Sequence, residues 1–379
     1  MNAPLRVTLN ANVLLAPVAG VGRYVSELGQ ALLSRHDVEL QFIHGLSNSN
    51  TLPQHGLKHY SALSNLAKRV LPSPYRLKRW LERHALTRAI RHQGSELYHE
   101  PSLWPLEVDC PTTMTLHDLA YVHFPETLPA DRLKTIERSM TYALENSRRI
   151  ICVSEFTAQQ AMRHYGLSRQ RISITPLGVS TCFRPFTAEQ ASPLLQRLGL
   201  SHRNFMLCVG TLEPRKNLEL VFQAIRTLPS SLLEHCPLVL CGAYGWGKLP
   251  ETMGSLHGCG QVISTGYLTG PELCTLMGSA QMLLFPSLYE GFGLPILEAM
   301  ASGTPVITSN RASMPEVGAN AAHYIDPYDA SDLAMAIRRL HEDRQYWLQL
   351  QRMGLERAQA FTWARTAELT VEAYRSALH

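Results

Sequence analysis

The stretch Phe285–Pro305, FPSLYEGFGLPILEAMASGTP, decides how the second half of this chain folds. An apolar run, Gln281–Pro286, leads into it. Pro295 suits the first turn of a helix, where its missing N–H costs no hydrogen bond, and Gly303 suits the end. Between strand and helix, Gly291-Phe292-Gly293 brings consecutive backbone N–H groups to the positive end of the helix dipole. Glu290 stands in the loop and Glu298 about one turn into the helix. Two carboxylates beside an anion-binding helix end are misplaced unless they accept hydrogen bonds from neutral polyols, a ribose for one and a sugar for the other.

Outward from this stretch, short apolar runs alternate with helical patterns. The first series is Arg6–Asn10, Val38–His44, Glu96–His99, Thr112–His117 and Arg149–Val153. The second is Phe205–Val209, Pro237–Gly242, Gln261–Gly266, Gln281–Pro286, Pro305–Ser309 and His323–Asp326. Many are apolar throughout, as expected of strands buried on both faces. Leu218, Val221, Phe222 and Ile225 show the helical spacing between them. Strand–helix alternation predicts parallel sheets covered by helices. The series breaks at a Pro- and Gly-punctuated stretch, Pro176–Ala188, so two doubly wound α/β domains are expected, facing a central cleft. Their predicted bounds are 1–182 and 183–360, with a closing helical segment 361–379.

Ligands of such sheets bind beyond the carboxyl ends of the strands. Two further junctions stand out there. Asn10–Leu32 carries a loop ending in Gly20-Val21-Gly22-Arg23-Tyr24 before a helix with Val25, Leu28 and Leu32. Val25 replaces the third glycine of a dinucleotide fingerprint, so a nicotinamide-dependent oxidoreductase is disfavoured. No GxxxxGK[ST] loop is present. The other junction is Gly210-Thr211-Leu212-Glu213-Pro214-Arg215-Lys216-Asn217, with Asn217 expected as N-cap of the next helix. Two cations just ahead of a helix N-terminus oppose its dipole, which makes sense if an anion lies between them. A diphosphate fits, with Arg215 bidentate and Lys216 as a point charge.

The chain has 379 residues, 45% hydrophobic and 17% charged, a globular balance that excludes disordered and fibrous classes. No run approaches the ~18 apolar residues of a membrane span. Met1–Asn10 reads as entering a strand directly rather than as a signal peptide. The eight cysteines form no CxxC pair and read as reduced, structural thiols. Charge is uneven. Lys68, Arg69, Arg76, Lys78, Arg79, Arg83, Arg88 and Arg91 are opposed only by Glu82, so this segment carries +7 in a chain of net charge +4, leaving −3 elsewhere. Trp80, Leu81 and other apolar residues interleave, a pattern suited either to an anionic lipid surface or to a plainly solvated helix. With no other basic character, nucleic acid is not an expected partner.

Glu290-x7-Glu298 within EGFGLPILEAMASGTPVITS resembles the signature of retaining glycosyltransferases of family four. GTLEPRKN, the early glycine loop and TLHDLAYVHFPE are similar to the same family, in the same order, over nearly the whole chain. The resemblance implies a GT-B fold of two Rossmann-like domains, the second holding most of a nucleotide-sugar. It implies that Arg215 and Lys216 meet the diphosphate and Glu298 the ribose. Glu290 and the backbone of Gly291, Phe292, Gly293 and Leu294 would meet the donor sugar and phosphate. Gly22 would belong to the loop closing on the diphosphate, and His117 to the reacting sugar. Tyr267 is a candidate for the base pocket, with plain packing as the other reading. Without a DxD motif, no metal and no other cofactor are expected.

GVGRY, HDLAYVHFPE and PSLYEGFGLP resemble bacterial mannosyl- or rhamnosyltransferases of O-antigen and related surface polysaccharides. That implies a GDP-linked donor and a lipid-linked glycan acceptor, with the enzyme in the cytoplasm at the inner face of the cytoplasmic membrane. A UDP-sugar donor, a GT-B sugar-nucleotide epimerase and a non-catalytic nucleotide-sugar binder are the alternatives.

Overall fold

A computed structural model of the chain describes residues 3–15, 20–53, 74–103, 106–128, 130–243, 245 and 260–379. It divides into two units. The first comprises Met1–Tyr121, Leu128–Gly178 and Trp363–His379; the second comprises Val122–Thr127 and Val179–Thr362.

Among the described residues the first unit carries a seven-stranded sheet. Its spatial order is β3 (Ser47–Ser49), β2 (Val38–His44), β1 (Leu5–Asn10), β4 (Leu97–Glu100), β5 (Thr112–Leu116), β6 (Arg149–Cys152) and β7 (Ile172–Ile174). All neighbours pair in parallel except β3, which runs antiparallel to β2. Among the described residues the second unit carries a six-stranded sheet whose neighbours all pair in parallel. Its order is β10 (Val262–Gly266), β9 (Leu238–Cys241), β8 (Met206–Val209), β11 (Met282–Phe285), β12 (Val306–Ser309) and β13 (His323–Ile325). Both sheets are doubly wound. The winding reverses between β1 and β4 in the first and between β8 and β11 in the second, so a crevice opens beyond the strand ends at each point.

The central strands are apolar throughout because helices cover both faces. LVLC of β9 and MLLF of β11 are buried at every position. The helix Leu218–Ile225 lays Leu218, Val221, Phe222 and Ile225 on the core shared with Met206, Leu238 and Leu284. Burying each such side chain contributes roughly 1.5–3 kcal/mol. Helix ends follow local chemistry. Thr187 and Gln190 form a capping box at the start of Ala188–Leu198, and Gly199 ends that helix in the left-handed region.

Besides the short excursion at Val122–Thr127, the chain crosses between units at Gly178/Val179 and Thr362/Trp363. The Val179 N–H donates to the Phe361 carbonyl at 3.1 Å, so both crossings are tied side by side in the second unit. The closing helix, Trp363–Leu378, packs on the helix Gly20–Leu33 and on β5, β6 and β7 of the first unit. Arg375 pairs with Asp37 there at 2.7 Å. The segment Val122–Thr127 clusters with the second unit, where the His123 ring lies 4.8 Å from that of Tyr289.

Candidate functional site

In the second unit a cluster of charged residues lies at the winding reversal. After β8 the chain makes a 3-10 turn, Pro214–Lys216, that presents Arg215 and Lys216; after β11 comes the loop bearing Glu290. Lys216 Nζ lies 2.6 Å from Glu290 Oε1, and Arg215 Nη1 lies 2.7 Å from Glu290 Oε2. Arg215 also donates through Nη1 to the Tyr289 carbonyl at 3.1 Å, and its Nε sits 2.6 Å from Glu213 Oε1. The Leu288 N–H donates to the Arg215 carbonyl at 2.8 Å, stitching the two loops together. The Lys216 ammonium lies 4.8 Å from the Phe285 ring centroid.

Burial by itself raises the Glu290 pKa, but the charges of Arg215 and Lys216 outweigh it and hold the carboxyl at about 2. Glu290 is therefore fully ionised at neutral pH. The cations were expected to face an external anion; the structure gives them Glu290 and Glu213. Nor is Glu290 misplaced, since it has two cations of its own. With Arg215 and Lys216 against Glu213 and Glu290, the cluster is neutral. Its guanidinium and ammonium groups are thereby aimed in advance, which is what preorganised electrostatic stabilisation requires.

Asn217 stands at the N-cap position of the helix that follows, as expected, but its side chain makes no capping hydrogen bond. It adopts the left-handed region (φ 59°), and its amide donates to the Pro286 carbonyl at 3.2 Å and the Pro327 carbonyl at 2.7 Å, fixing the cationic turn against β11 and β13. The close approach of the β8 and β9 ends demands glycine. A Cβ on Gly242 (φ +150°) would fall 2.0 Å from the Gly210 carbonyl oxygen.

Gly291, Phe292 and Gly293 lead directly into the helix Leu294–Ala301, with Gly293 as N-cap at φ 97°, where a β-carbon is strained. Leu294 is the first helical residue and Pro295 the second. The Phe292 side chain turns inward, edge-on to Phe361 at 6.1 Å. The Ser313 hydroxyl donates to the Glu290 carbonyl at 2.9 Å, holding the loop from the far side. Glu298 lies in the first turns of the helix and is only 2% exposed, more deeply set than a carboxylate at a loop rim. Tyr267 is 62% exposed just past the edge strand β10, two strands removed from β8.

In the first unit the glycine segment belongs to the helix, not to the loop before it. The helix starts at Gly20, because Tyr24 already faces the core and extends the apolar stripe of Val25, Leu28 and Leu32 toward the N-terminus. Gly22 is buried in its first turn. His117 follows β5, and Tyr24 meets it edge-on at 4.8 Å. His117 Nε2 donates to the Pro101 carbonyl at 2.9 Å. Burial lowers the pKa of His117, so the ring is neutral near pH 7 and its Nδ1 is the acceptor nitrogen. Behind it runs a buried chain. The Tyr24 hydroxyl bonds Thr115 Oγ1 (2.9 Å), Thr115 Oγ1 bonds His99 Nε2 (2.8 Å), and His99 Nδ1 bonds the Tyr374 hydroxyl (2.7 Å).

Lys68 and Arg69 lie outside the described residues, as do the side chains of Arg76 and Lys78 and all of Cys259. The other cysteines are free thiols. Among the described residues no helix is long and apolar enough to cross a membrane.

Two features escaped the sequence reading. Glu213 orients Arg215, and only its position two residues ahead of the arginine hinted at this. Tyr24 braces His117, and nothing in its helical spacing separates it from core residues.

Two doubly wound units, one with a cation pair at its winding reversal, define a GT-B glycosyltransferase. The comparisons agree. Residues 18–182 match the family described as Glycosyltransferase Family 4, and residues 195–358 match Glycosyl transferases group 1. The chain belongs to this glycosyltransferase family. It is 32% identical over 368 residues to O-antigen chain mannosyltransferase B of Escherichia coli, covering 95% of this chain and 96% of that one. Its fold is similar to that of sucrose-phosphate synthase from Thermosynechococcus elongatus (TM-score 0.72, 20% identity, 98% of each chain). It is also similar to Anabaena HepE in complex with UDP and glucose (TM-score 0.69, 16% identity, 98% of this chain and 100% of that one).

Proposed function

We propose that this glycosyltransferase moves mannose from GDP-mannose to a lipid-linked glycan acceptor in O-antigen-type polysaccharide synthesis, with retention of anomeric configuration. The observation that carries the transfer chemistry is the preset Arg215–Lys216–Glu290 cluster beyond β8 and β11. Mannose as the sugar rests on the similarity to the Escherichia coli mannosyltransferase.

The C1–O bond to the diphosphate breaks, and its electron pair leaves with the diphosphate. Arg215 and Lys216, with the N–H groups ahead of the helix Leu294–Ala301, stabilise the charge that accumulates there. The acceptor hydroxyl oxygen bonds to C1 on the same face, and its proton passes to the departing phosphate oxygen. The sugar is oxocarbenium-like at the peak. Glu290 orients donor hydroxyls and Glu298 holds the ribose. In this reading Gly22 is assigned to the diphosphate and Tyr267 to the base. His117, neutral and with Nδ1 as acceptor, takes a hydrogen bond from a hydroxyl of the sugar or the acceptor. In this reading the two cations do the work of a metal, and the enzyme acts in the cytoplasm at the inner face of the cytoplasmic membrane, drawn there by the basic segment Lys68–His92.

The test is incubation with GDP-mannose, GDP-rhamnose and UDP-glucose, with and without a mannoside on a lipid-like tail, in the presence of EDTA. Acceptor-dependent formation of an α-mannoside from GDP-mannose is expected. A β-linked product would reject retention. Nucleotide release independent of acceptor would favour an epimerase, and loss of turnover in EDTA with recovery in magnesium would reject the cation roles.

A further inference from the structure

At the winding reversal of the first unit, β1 ends at Asn10 and its neighbour β4 ends at Glu100. Glu100 is fully buried. Its Oε2 accepts from the Asn10 side-chain amide at 2.7 Å and from the Tyr98 hydroxyl at 2.6 Å. Its Oε1 accepts from the Ser102 N–H at 3.0 Å and from the Ser102 hydroxyl at 2.6 Å. Burial pushes the Glu100 pKa up, and the hydrogen bonds from Ser102, Tyr98 and Asn10 pull against it. The Ser102 N–H belongs to the same peptide unit as the Pro101 carbonyl, the group that accepts from His117 Nε2 at 2.9 Å. In a planar trans peptide the N–H and the C=O point in opposite directions. Glu100 therefore holds one end of this peptide, and His117 meets the other.

We propose that Glu100 is a positioning residue that sets which ring nitrogen of His117 carries the proton. The proposal rests on the reading that His117 Nδ1 takes a hydrogen bond from a hydroxyl of the sugar or the acceptor, and goes beyond it by naming what keeps Nδ1 an acceptor. The proline ring fixes φ of Pro101 but leaves two favoured values of ψ about half a turn apart, so the ring does not decide where the carbonyl points. The Ser102 N–H can only donate, and Glu100 Oε1 is the acceptor that claims it. With the peptide held this way, His117 Nε2 faces a carbonyl and donates, which leaves the lone pair on Nδ1. A peptide turned the other way would offer His117 the Ser102 N–H instead. Nε2 would then accept, the proton would sit on Nδ1, and the ring would meet a substrate hydroxyl as a donor. Asn10 and Tyr98 anchor the other oxygen of Glu100, so the carboxylate stays in place to resist that turn.

The experiment reads the ring directly, by proton–nitrogen correlation spectra of the full chain labelled at its histidine nitrogens, the His117 signals being identified by their loss in His117→Gln. In the parent the proton is expected on Nε2. Glu100→Gln keeps the shape but leaves one acceptor oxygen for donors on both sides. Asn10 and Tyr98 take that oxygen, the new amide nitrogen faces the peptide, and the His117 proton is expected on Nδ1. Tyr98→Phe is the control for a merely structural role, because it removes a hydrogen bond to the same carboxylate; the proton is expected to stay on Nε2. Asn10→Asp added to Glu100→Gln supplies an acceptor for the new amide nitrogen and frees its oxygen for Ser102, so the proton is expected to return to Nε2. With GDP-mannose and a mannoside on a lipid-like tail, Glu100→Gln is expected to lower kcat on the order of 100-fold, with the donor KM within about threefold of the parent, and Asn10→Asp to recover most of the loss. A parent proton on Nδ1, or the parent's tautomer in Glu100→Gln, overturns the proposal. So does an inverted ring in Tyr98→Phe or in the doubly substituted chain. If Glu100→Gln loses its melting transition, Glu100→Asp, one methylene short of Ser102, decides: a mixture of tautomers supports the proposal, and a parent-like ring or a second loss of melting overturns it. The spectra need no sugar, so the two readings fail separately. An inverted ring with unchanged kcat upholds the control by Glu100 and rejects the role of Nδ1. An unchanged ring in Glu100→Gln, with transfer abolished in His117→Gln, rejects the control and upholds the role.

Discussion

Glu290→Gln separates the two tasks assigned to this carboxylate. It keeps the side-chain shape and removes the charge that faces Lys216 at 2.6 Å and Arg215 at 2.7 Å. Despite burial, those cations lower the Glu290 pKa from 4.5 to about 2. At 1.36 kcal/mol per unit, ionised Glu290 and its partners contribute about 3 kcal/mol at neutral pH, net of the cost of burial. The folded-state pKa is depressed, so this stability is present above about 4.5 and is lost as pH falls toward about 2. At pH 7 the variant should therefore melt roughly 6–12 °C lower in the transition of the second unit. That gap should close as both proteins are acidified through the same window. Nucleotide binding should move the other way. In the parent a diphosphate competes with Glu290 for the cations; in the variant it does not. Recovering even half of that energy tightens GDP binding on the order of tenfold. Transfer should nevertheless fall, because the donor hydroxyls exchange a charged two-oxygen acceptor for a neutral amide with one. Calorimetry of GDP binding alongside turnover reads both. Weaker GDP binding in the variant, or a melting difference that is independent of pH, would refute the competition argument.

Lys216→Ala should reduce transfer by about 100-fold, the loss of a charge-assisted contact to the leaving group, and melt below the parent because buried Glu290 keeps only Arg215; near-normal turnover would remove the phosphate role. Arg215→Ala should lose transfer equally and melt below Lys216→Ala, since it removes the cation that faces both Glu213, whose side chain is 2% exposed, and Glu290. Glu298→Ala should weaken GDP binding in calorimetry, and an unchanged affinity would reject the ribose role. His99 is held at about 3 by burial and by the nearby His117. Its depressed pKa makes the first unit's stability complete above about pH 6.5 and progressively lower down to about 3, and His99→Gln should flatten that profile in thermal melts.

Much of the architecture was legible because period and punctuation are local. Runs such as MLLF and LVLC announce buried parallel strands by being apolar at every position, and Pro295 and Gly303 bracket their helix by chemistry that needs no distant partner. The edge strands β3 and β7 were not legible. Each is three residues long, and Ser47-Asn48-Ser49 is a strand only because β2 offers it hydrogen bonds. The start of the Gly20 helix was placed too late for a related reason: whether Tyr24 belongs to the stripe depends on what lies beneath it.

The sequence by itself determined two wound sheets, the loops in which charge gathers, and the identity of Arg215, Lys216, Glu290 and His117 as the residues to examine. Only the tertiary structure decided what each of them faces. Asn217 was free by its neighbours' chemistry to cap a helix, yet its amide is claimed by a carbonyl 110 residues away. His99 gains its partner from Tyr374, 275 residues on. The Pro101 carbonyl, which no motif marks, sets the tautomer of His117. Helix and strand preferences act over a few residues, whereas a buried hydrogen bond or ion pair is settled by which distant atoms packing brings within 3 Å, roughly the reach of such contacts.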